Sequence, residues 1–373
     1  MTQNIGAGRP GVAYQARQLG LVFNAALGVI MSLFLSLGAG TILSGVGVAD
    51  ALMQPAKTYL QIVGGFCILN ALIPICSSYL RAFGFSKEPL YASIIGNVIN
   101  FCLNAFFLFV LHKGVAGVAT ATVISRIINL VIVVLLGAVL VKAKQHPERE
   151  SNRAVMGQII RIGLPSACET AIYNVSMTLV IRFLNQMDAQ GLNVTARSYT
   201  MQITNFSYCV GAALAQANAI MTGWHIGAKE YDACDRGTKK AAVIGVIVAV
   251  ILETVFTLCS GWIMQLFSKD PQMVSLVGKL LAIDIVLEIG RVTNLVYGQA
   301  LKTSGDAVFP VVMGACFMIL CSVGGTYLFG IRLGLLAVGA YIGMTGDECV
   351  RAVGMYLRWK SGKWKEKGLV KSR

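Results

Sequence analysis

Leu80-Arg81-Ala82-Phe83-Gly84, followed by Pro89, returns 221 positions later as Leu301-Lys302-Thr303-Ser304-Gly305, followed by Pro310. The leucine, a basic residue, the glycine and the proline keep their places while the residues between them change. A second mark has the same offset, since Ile5-Gly6-Ala7 recurs as Ile226-Gly227-Ala228. Each mark borders long apolar runs, so the chain reads as a duplicated bundle of helices. Two bundles of membrane helices that rock about a site between them are the layout of many carriers. A carrier of a small-molecule substrate is therefore the first expectation.

Composition points the same way. Apolar residues make up 56% of the 373 and charged residues 13%, too little charge to cover a water-soluble protein of this length. The net charge of +14 would suit nucleic acid if its basic residues gathered on one soluble face. They lie in loops between apolar runs instead, so the expected partner is a lipid bilayer and not nucleic acid. No HExxH, GxSxG or Walker pattern occurs, which argues against an enzyme and against ATP as the driving force. No cofactor is implied, and three scattered histidines have no metal-ligand spacing. The ten cysteines form no CxxC. All but Cys234 lie in apolar runs and are expected to pack as small buried hydrophobes.

Hydropathy predicts an all-α, multi-pass membrane protein of about ten spans in two pseudo-symmetric lobes. The first lobe, residues 1–141, has four spans, near Leu19–Leu43, Thr58–Leu80, Leu90–Leu111 and Val115–Val141. A charged linker over residues 142–161 contains Pro147. The second lobe, residues 162–358, has six spans, near Gly163–Leu184, Ala196–Trp224, Ala241–Met264, Ser275–Ala300, Phe309–Phe329 and Leu335–Leu357. Residues 359–373 form a basic tail. With both termini cytoplasmic, inner segments hold 21 of the 31 Lys and Arg, outer segments 6 and the membrane interior 4. That bias favours this orientation in the cytoplasmic membrane. The tail, Arg358-Trp359-Lys360-Ser361-Gly362-Lys363-Trp364, is expected to anchor at the inner interface.

The chain resembles the multidrug and toxic compound extrusion family of cation-coupled exporters. The first half matches in Leu80 to Gly84 with Pro89 and in Gly114-Val115-Ala116-Gly117-Val118-Ala119-Thr120-Ala121. The second half matches in Gly163-Leu164-Pro165-Ser166, Gln216-Ala217, Gly223 to Ala228, Leu301 to Pro310, Asp347-Glu348 with Arg351, and the Arg358-Trp359 tail. Members usually have six spans per half, and the Ile-Gly-Ala mark follows the second span of each. Here the first mark lies at Ile5, so the chain resembles a member without its first two spans. The expected partners therefore include a missing two-span N-terminal segment.

An ionisable side chain near the bilayer centre costs at least about 2.5–3.5 kcal/mol and needs a reason. The densest group is Asp284, Glu288, Arg291 and Asn294. At about 100° per residue the first three fall within a stripe about 60° wide, with Asn294 beside it. Their counterparts in the first repeat are Val63, Cys67, Asn70 and Ile73, so packing alone does not demand charge there. A structural Glu288–Arg291 pair is the plain alternative, but it leaves Asp284 unexplained. The family resemblance carries over the Glu288, Arg291 and Asn294 pattern, with Asp284 beside it, as a site for the coupling ion, H+ or Na+. No metal site is expected apart from Na+ at Asp284 and Glu288.

Glu169 is a second candidate acid, with Asn174 on the same helix, and a capping role near the inner end is its alternative. Glu253 lies alone in its span. Asp347 and Arg351, one turn apart, are expected to pair. Tyr199, Gln202, Asn205 and Tyr208 give their span a polar, aromatic face suited to lining a cavity for amphipathic or cationic compounds. Asn100 and Asn104 offer hydrogen bonds in the first lobe. Relatives often carry an acid near Asn104, which cannot itself ionise. The expected function is a secondary active exporter exchanging organic compounds for protons or sodium. Its rivals are a lipid-linked oligosaccharide flippase, which would need a strongly cationic cavity, and a truncated remnant or split-carrier subunit.

Overall fold

Gly84 and Gly305 end their helices identically. Both take a left-handed backbone, with φ of 89° and 100°. Gly84 N–H donates to the Arg81 carbonyl at 3.0 Å and Phe85 N–H to that of Leu80 at 3.1 Å. Gly305 N–H donates to Lys302 at 3.1 Å and Asp306 N–H to Leu301 at 3.0 Å. This bond pair closes a helix on a residue without a Cβ to clash. The other mark behaves alike. Gly8 and Lys229, each just past its Ile-Gly-Ala, have φ of 70° and 63°. The N–H groups of Arg9 and Glu230 then reach back to Asn4 and His225 at 2.8 Å. The repeated residues are the turn chemistry of a repeated fold.

The structure, a computed structural model, describes residues 1–46, 50–142, 146–188 and 191–368. Among these the regular structure is entirely helical. The chain divides into two compact units, residues 1–159 and 160–373. The first holds α1 (Thr2–Gly6), α2 (Pro10–Leu37), α3 (Ala39–Val46), α4 (Asp50–Gly65), α5 (Ile68–Ala82), α6 (Lys87–Ala105) and α7 (Gly114–Leu140). Next comes α8 (Asn152–Met187), most of it in the second unit. There follow α9 (Leu192–Gly227), α10 (Tyr231–Leu258), α11 (Ser260–Met264), α12 (Pro271–Ser304), α13 (Val308–Phe317) and α14 (Leu336–Lys360).

The offset of 221 runs through these elements. The helices α2 and α10 start at that spacing, and each has 28 residues. So do α6 and α13, each with its proline as third residue and each prolonged by a wider π-type turn. The repeats part at α12. It is one continuous 34-residue helix, whereas α4 and α5 are bent by 42°. The bend follows Gly64-Gly65, where a Cβ on Gly64 would stand 2.9 Å from Leu35 Cβ. Paired glycines next to a close contact are a usual cause of such a kink. Cys67, at the bend, is the counterpart of Glu288.

In the second unit α12 packs on α9, α10 and α14. Leu280, Leu281 and Leu287 are fully buried with Tyr341 and Met344 toward one end, and Val292, Val296 and Ala300 with Ala215 and Ala249 toward the other. Outer faces are apolar instead of charged: Leu37 is 82% exposed, Leu258 80% and Phe109 76%. Such surface belongs against lipid. Five helices (α2, α6 with its π turn, α7, α10, and α13 with its π turns) are long and apolar enough to cross a membrane, and α4 with α5 would make a sixth. The equally long α8, α9, α12 and α14 carry more polar residues.

Four expectations change. The helix that carries the first expected span begins at Pro10, well ahead of Leu19, because proline at the first helical position follows directly on the Gly8 turn. The last ten residues of the expected linker, Asn152 to Arg161, are helical. Only Cys76 and Cys234 are buried, while Cys102, Cys168, Cys209, Cys259 and Cys316 are exposed. Apolar runs here face outward as well as inward, so a cysteine within one need not be buried by protein. Trp359 and Trp364 do not present a membrane anchor. Each is 1% exposed, their rings stack at 4.1 Å, and Trp359 Nε1 donates to Asp235 at 2.9 Å.

Candidate functional site

The second unit holds an open cavity of about 510 Å³ between α8, α9, α12, α13 and α14. Its wall owes its polarity to the middle of α12. There the helix must carry side chains toward α9, α10 and α14 at once, and small residues let it approach closely. A Cβ on Gly211 of α9 or Gly245 of α10 would lie 2.8 or 2.7 Å from Val292. Gly290 meets the α14 backbone at Cys349, where a Cβ would come within 2.9 Å. This tight packing excludes water from the carboxyls behind the wall.

A chain of charges joins α12 to α14. Arg291 Nη1 stands 2.8 Å from Glu288 Oε2, and its Nε 3.8 Å from Glu348 Oε1. Asn294 Nδ2 donates to the other Glu348 oxygen at 3.0 Å. Arg351 Nη2 is 2.9 Å from Glu348 Oε1 and also binds Asp347 through two bonds of 2.8 and 2.9 Å. Ser322 donates to Asp347 at 2.9 Å. Across the cavity Lys302 Nζ is 2.5 Å from Glu169 Oε2. The wall itself carries Arg291, Lys302 and Arg351 against Glu169 and Glu348. The surplus of acid lies behind it, in Asp284, Glu288 and Glu253, which are 2%, 0% and 0% exposed.

The residues expected from sequence distribute as follows. Arg291, Asn294, Glu169, Asn174 and Tyr208 line the cavity. Arg291 also sits over the Tyr208 ring at 5.9 Å. Asp284 and Glu288 are buried behind it, and each keeps one oxygen without a hydrogen bond. Tyr199 packs on Phe267 at 5.4 Å, while Gln202 and Asn205 are exposed on α9 outside this cavity. Asn100 and Asn104 belong to the first unit, where Asn104 donates to Asn100 at 3.1 Å and Asn100 to Ser125 at 3.3 Å. Glu169 lies in the middle of α8 instead of near its start, because the helix begins at Asn152.

Sequence reasoning did not place Glu348, Lys302 or Arg351 in the site. Glu348 sits beside a visible i,i+4 pair, and Lys302 is the counterpart of Arg81, but nothing local shows which helix either one faces. Among the described residues no three His, Cys, Asp or Glu side chains are arranged to hold a metal ion.

The MatE family model matches residues 1–106 and 165–328. The chain is 32% identical to the "Uncharacterized transporter YisQ" of Bacillus subtilis (strain 168), over 99% of this chain and 82% of the relative. It is 22% identical to the "Probable multidrug resistance protein NorM" of Thermotoga maritima, over 91% of this chain and 76% of that one. A solved MATE structure in the straight conformation superposes with a TM-score of 0.88 at 19% identity, covering 98% of this chain and 82% of that chain. The eukaryotic MATE transporter AtDTX14 gives a TM-score of 0.85 at 18% identity, with coverage of 98% and 82%. The chain therefore belongs to the MatE family, whose members are multi-pass membrane transporters and not enzymes.

Proposed function

We propose that the chain is a secondary active exporter that moves organic, amphipathic or cationic compounds out of the cell in exchange for protons or sodium ions. Both termini are cytoplasmic in this reading, and residues 1–141 and 162–358 act as the two lobes. The observation that carries it is Arg291, shared between Glu288 behind the cavity wall and Glu348 on it. Neutralising Glu288 with an incoming cation deprives Arg291 of its shorter ion pair. The guanidinium then turns toward Glu348, which Asn294 and Arg351 hold in place. The charge of the wall changes without any change in its lining.

Ion and substrate are linked because a buried charge left without its partner costs about 3–5 kcal/mol. A cationic compound must compete with Lys302 for Glu169 and with Arg351 for Glu348, and is further disfavoured at Glu348 once Arg291 has moved in. Alternating access turns that exclusion into exchange. Tyr173 and Tyr208 on the same wall offer ring faces to a flat cation.

The test replaces Asp284 by Asn and Glu288 by Gln in the purified full chain. Efflux of a fluorescent organic cation from vesicles is then followed under an imposed pH or sodium gradient. Gradient-driven efflux is expected in the parent and lost in both variants. Unchanged coupling in both would remove these carboxyls from the mechanism.

A further inference from the structure

Glu253 is fully buried late in α10, and among the described residues no N–H donor reaches either carboxyl oxygen. It ends a stripe of buried residues on that helix, Thr238, Ala242, Gly245 and Ala249, along which α10 lies close to α12. The charged groups that face it are Asp284, Glu288 and Arg291, all from α12. From α9 the Ser207 hydroxyl, also fully buried, adjoins it and is the one group placed to hydrogen-bond its carboxyl. Arg291 is already shared between Glu288 and Glu348.

Three carboxyls beside one committed guanidinium, all 0–2% exposed, cannot all stay ionised. A buried anion with no cation paired to it costs several kcal/mol, and such groups are neutralised instead. Two ligands can do this. A bare metal cation needs several oxygens converging on one point, and since among the described residues no three His, Cys, Asp or Glu side chains form such a group, it would depend on hydroxyl, amide and backbone oxygens. A proton needs one lone pair on its carrier and one acceptor nearby. Ser207, within hydrogen-bond reach of Glu253, meets that need, with Asp284 and Glu288 the other acids that act on it.

We infer that Glu253 is a proton-carrying residue, a further seat beside Asp284 and Glu288, and that the driving ion is the proton. Protonated, its O–H donates to Ser207 or to a neighbouring carboxylate. When it ionises, the proton passes to Asp284 or Glu288, so that the number of buried anions is unchanged, and Ser207 donates to the carboxylate left on Glu253. The role in transport rests on the exporter reading, whereas the protonation itself does not.

The experiment separates the two. Infrared spectra of the purified full chain in lipid vesicles, recorded across a pH titration, detect the carbonyl stretch of a protonated carboxylic acid. One such band is expected to vanish in Glu253→Gln, to shift in Glu253→Asp and to ignore added sodium. If Glu253→Gln does not fold, Glu253→Asp alone decides. A spectrum unchanged by the substitution, or a band displaced by sodium, overturns the inference. In vesicles loaded with ethidium, Glu253→Gln is expected to lose efflux driven by a pH gradient while keeping gradient-free exchange of labelled for unlabelled ethidium. Retained pH-driven efflux sinks the coupling role of Glu253 and leaves the exporter standing. A parent protein that moves no ethidium under either gradient counts against the exporter reading, and the infrared result still decides Glu253.

Discussion

Lys302 Nζ stands 2.5 Å from Glu169 Oε2, joining the last turn of α12 to the middle of α8 across the cavity. Its counterpart in the first repeat, Arg81, hydrogen-bonds only one turn back, to Ser78 at 3.3 Å. The same turn position thus serves a local contact in one repeat and a cavity wall in the other.

Because both side chains are largely buried, at 16% and 17% exposed, removing one should cost more than removing both. Glu169→Gln and Lys302→Met are each expected to lower the melting temperature of the detergent-solubilised protein. The double variant should recover part of the loss, with a coupling of about 1–3 kcal/mol. Strict additivity of the two single effects would show that the pair carries no stability.

The wedge of Val292 between α9 and α10 sets a second test. Gly245→Ala would place a methyl 2.7 Å from Val292 Cγ1, closer than packed carbons tolerate, and is expected to destabilise by about 1–3 kcal/mol. Adding Val292→Ala should return part of that loss. Thermal unfolding of the parent and the two variants reads it directly.

Backbone strain predicts opposite signs at two helix ends. Gly305, at φ 100°, should lose about 1–2 kcal/mol on substitution by Ala. Lys229 holds φ 63° as a non-glycine residue, so Lys229→Gly should be neutral or stabilising. Melting temperatures that fall equally in both would contradict the shared turn geometry.

Asp188, in the connection between α8 and α9, supplies a pH dependence. Burial pushes its carboxyl up, but hydrogen bonds from Asn193 and from the Leu192 backbone outweigh this and hold it below its ordinary value. A depressed carboxyl stabilises the fold above its unfolded pKa of about 3.9, and that contribution disappears as the pH falls through the folded value. Asn193 in turn accepts from the Ala337 N–H at 3.0 Å, so the effect reaches the start of α14. Melting curves from pH 7 downward should show less acid sensitivity in Asp188→Asn than in the parent. Parallel curves would refute the assignment.

Much of this protein was legible before any coordinates. The marks at Leu80 to Pro89 and Leu301 to Pro310 are turn residues, and a turn residue states its backbone requirement locally. The Glu288–Arg291 contact was equally legible, since three residues along a helix fix the separation of two side chains. The tail was misread for a related reason. Trp359 and Lys360 have the composition of a membrane anchor, but composition does not tell whether an indole meets lipid headgroups or the Asp235 carboxylate.

What the sequence by itself determined is everything carried within a single helix or turn: the repeat, the helical class, the membrane setting and the charged stripe of α12. The tertiary structure alone decided which stripes meet. It set Glu348 beside Arg291, Lys302 against Glu169, and Glu253 among the acids of α12 without a cation of its own. The physical reason is that helix geometry repeats every few residues and can be read in one dimension, whereas the meeting of two helices depends on where small residues let their backbones come close.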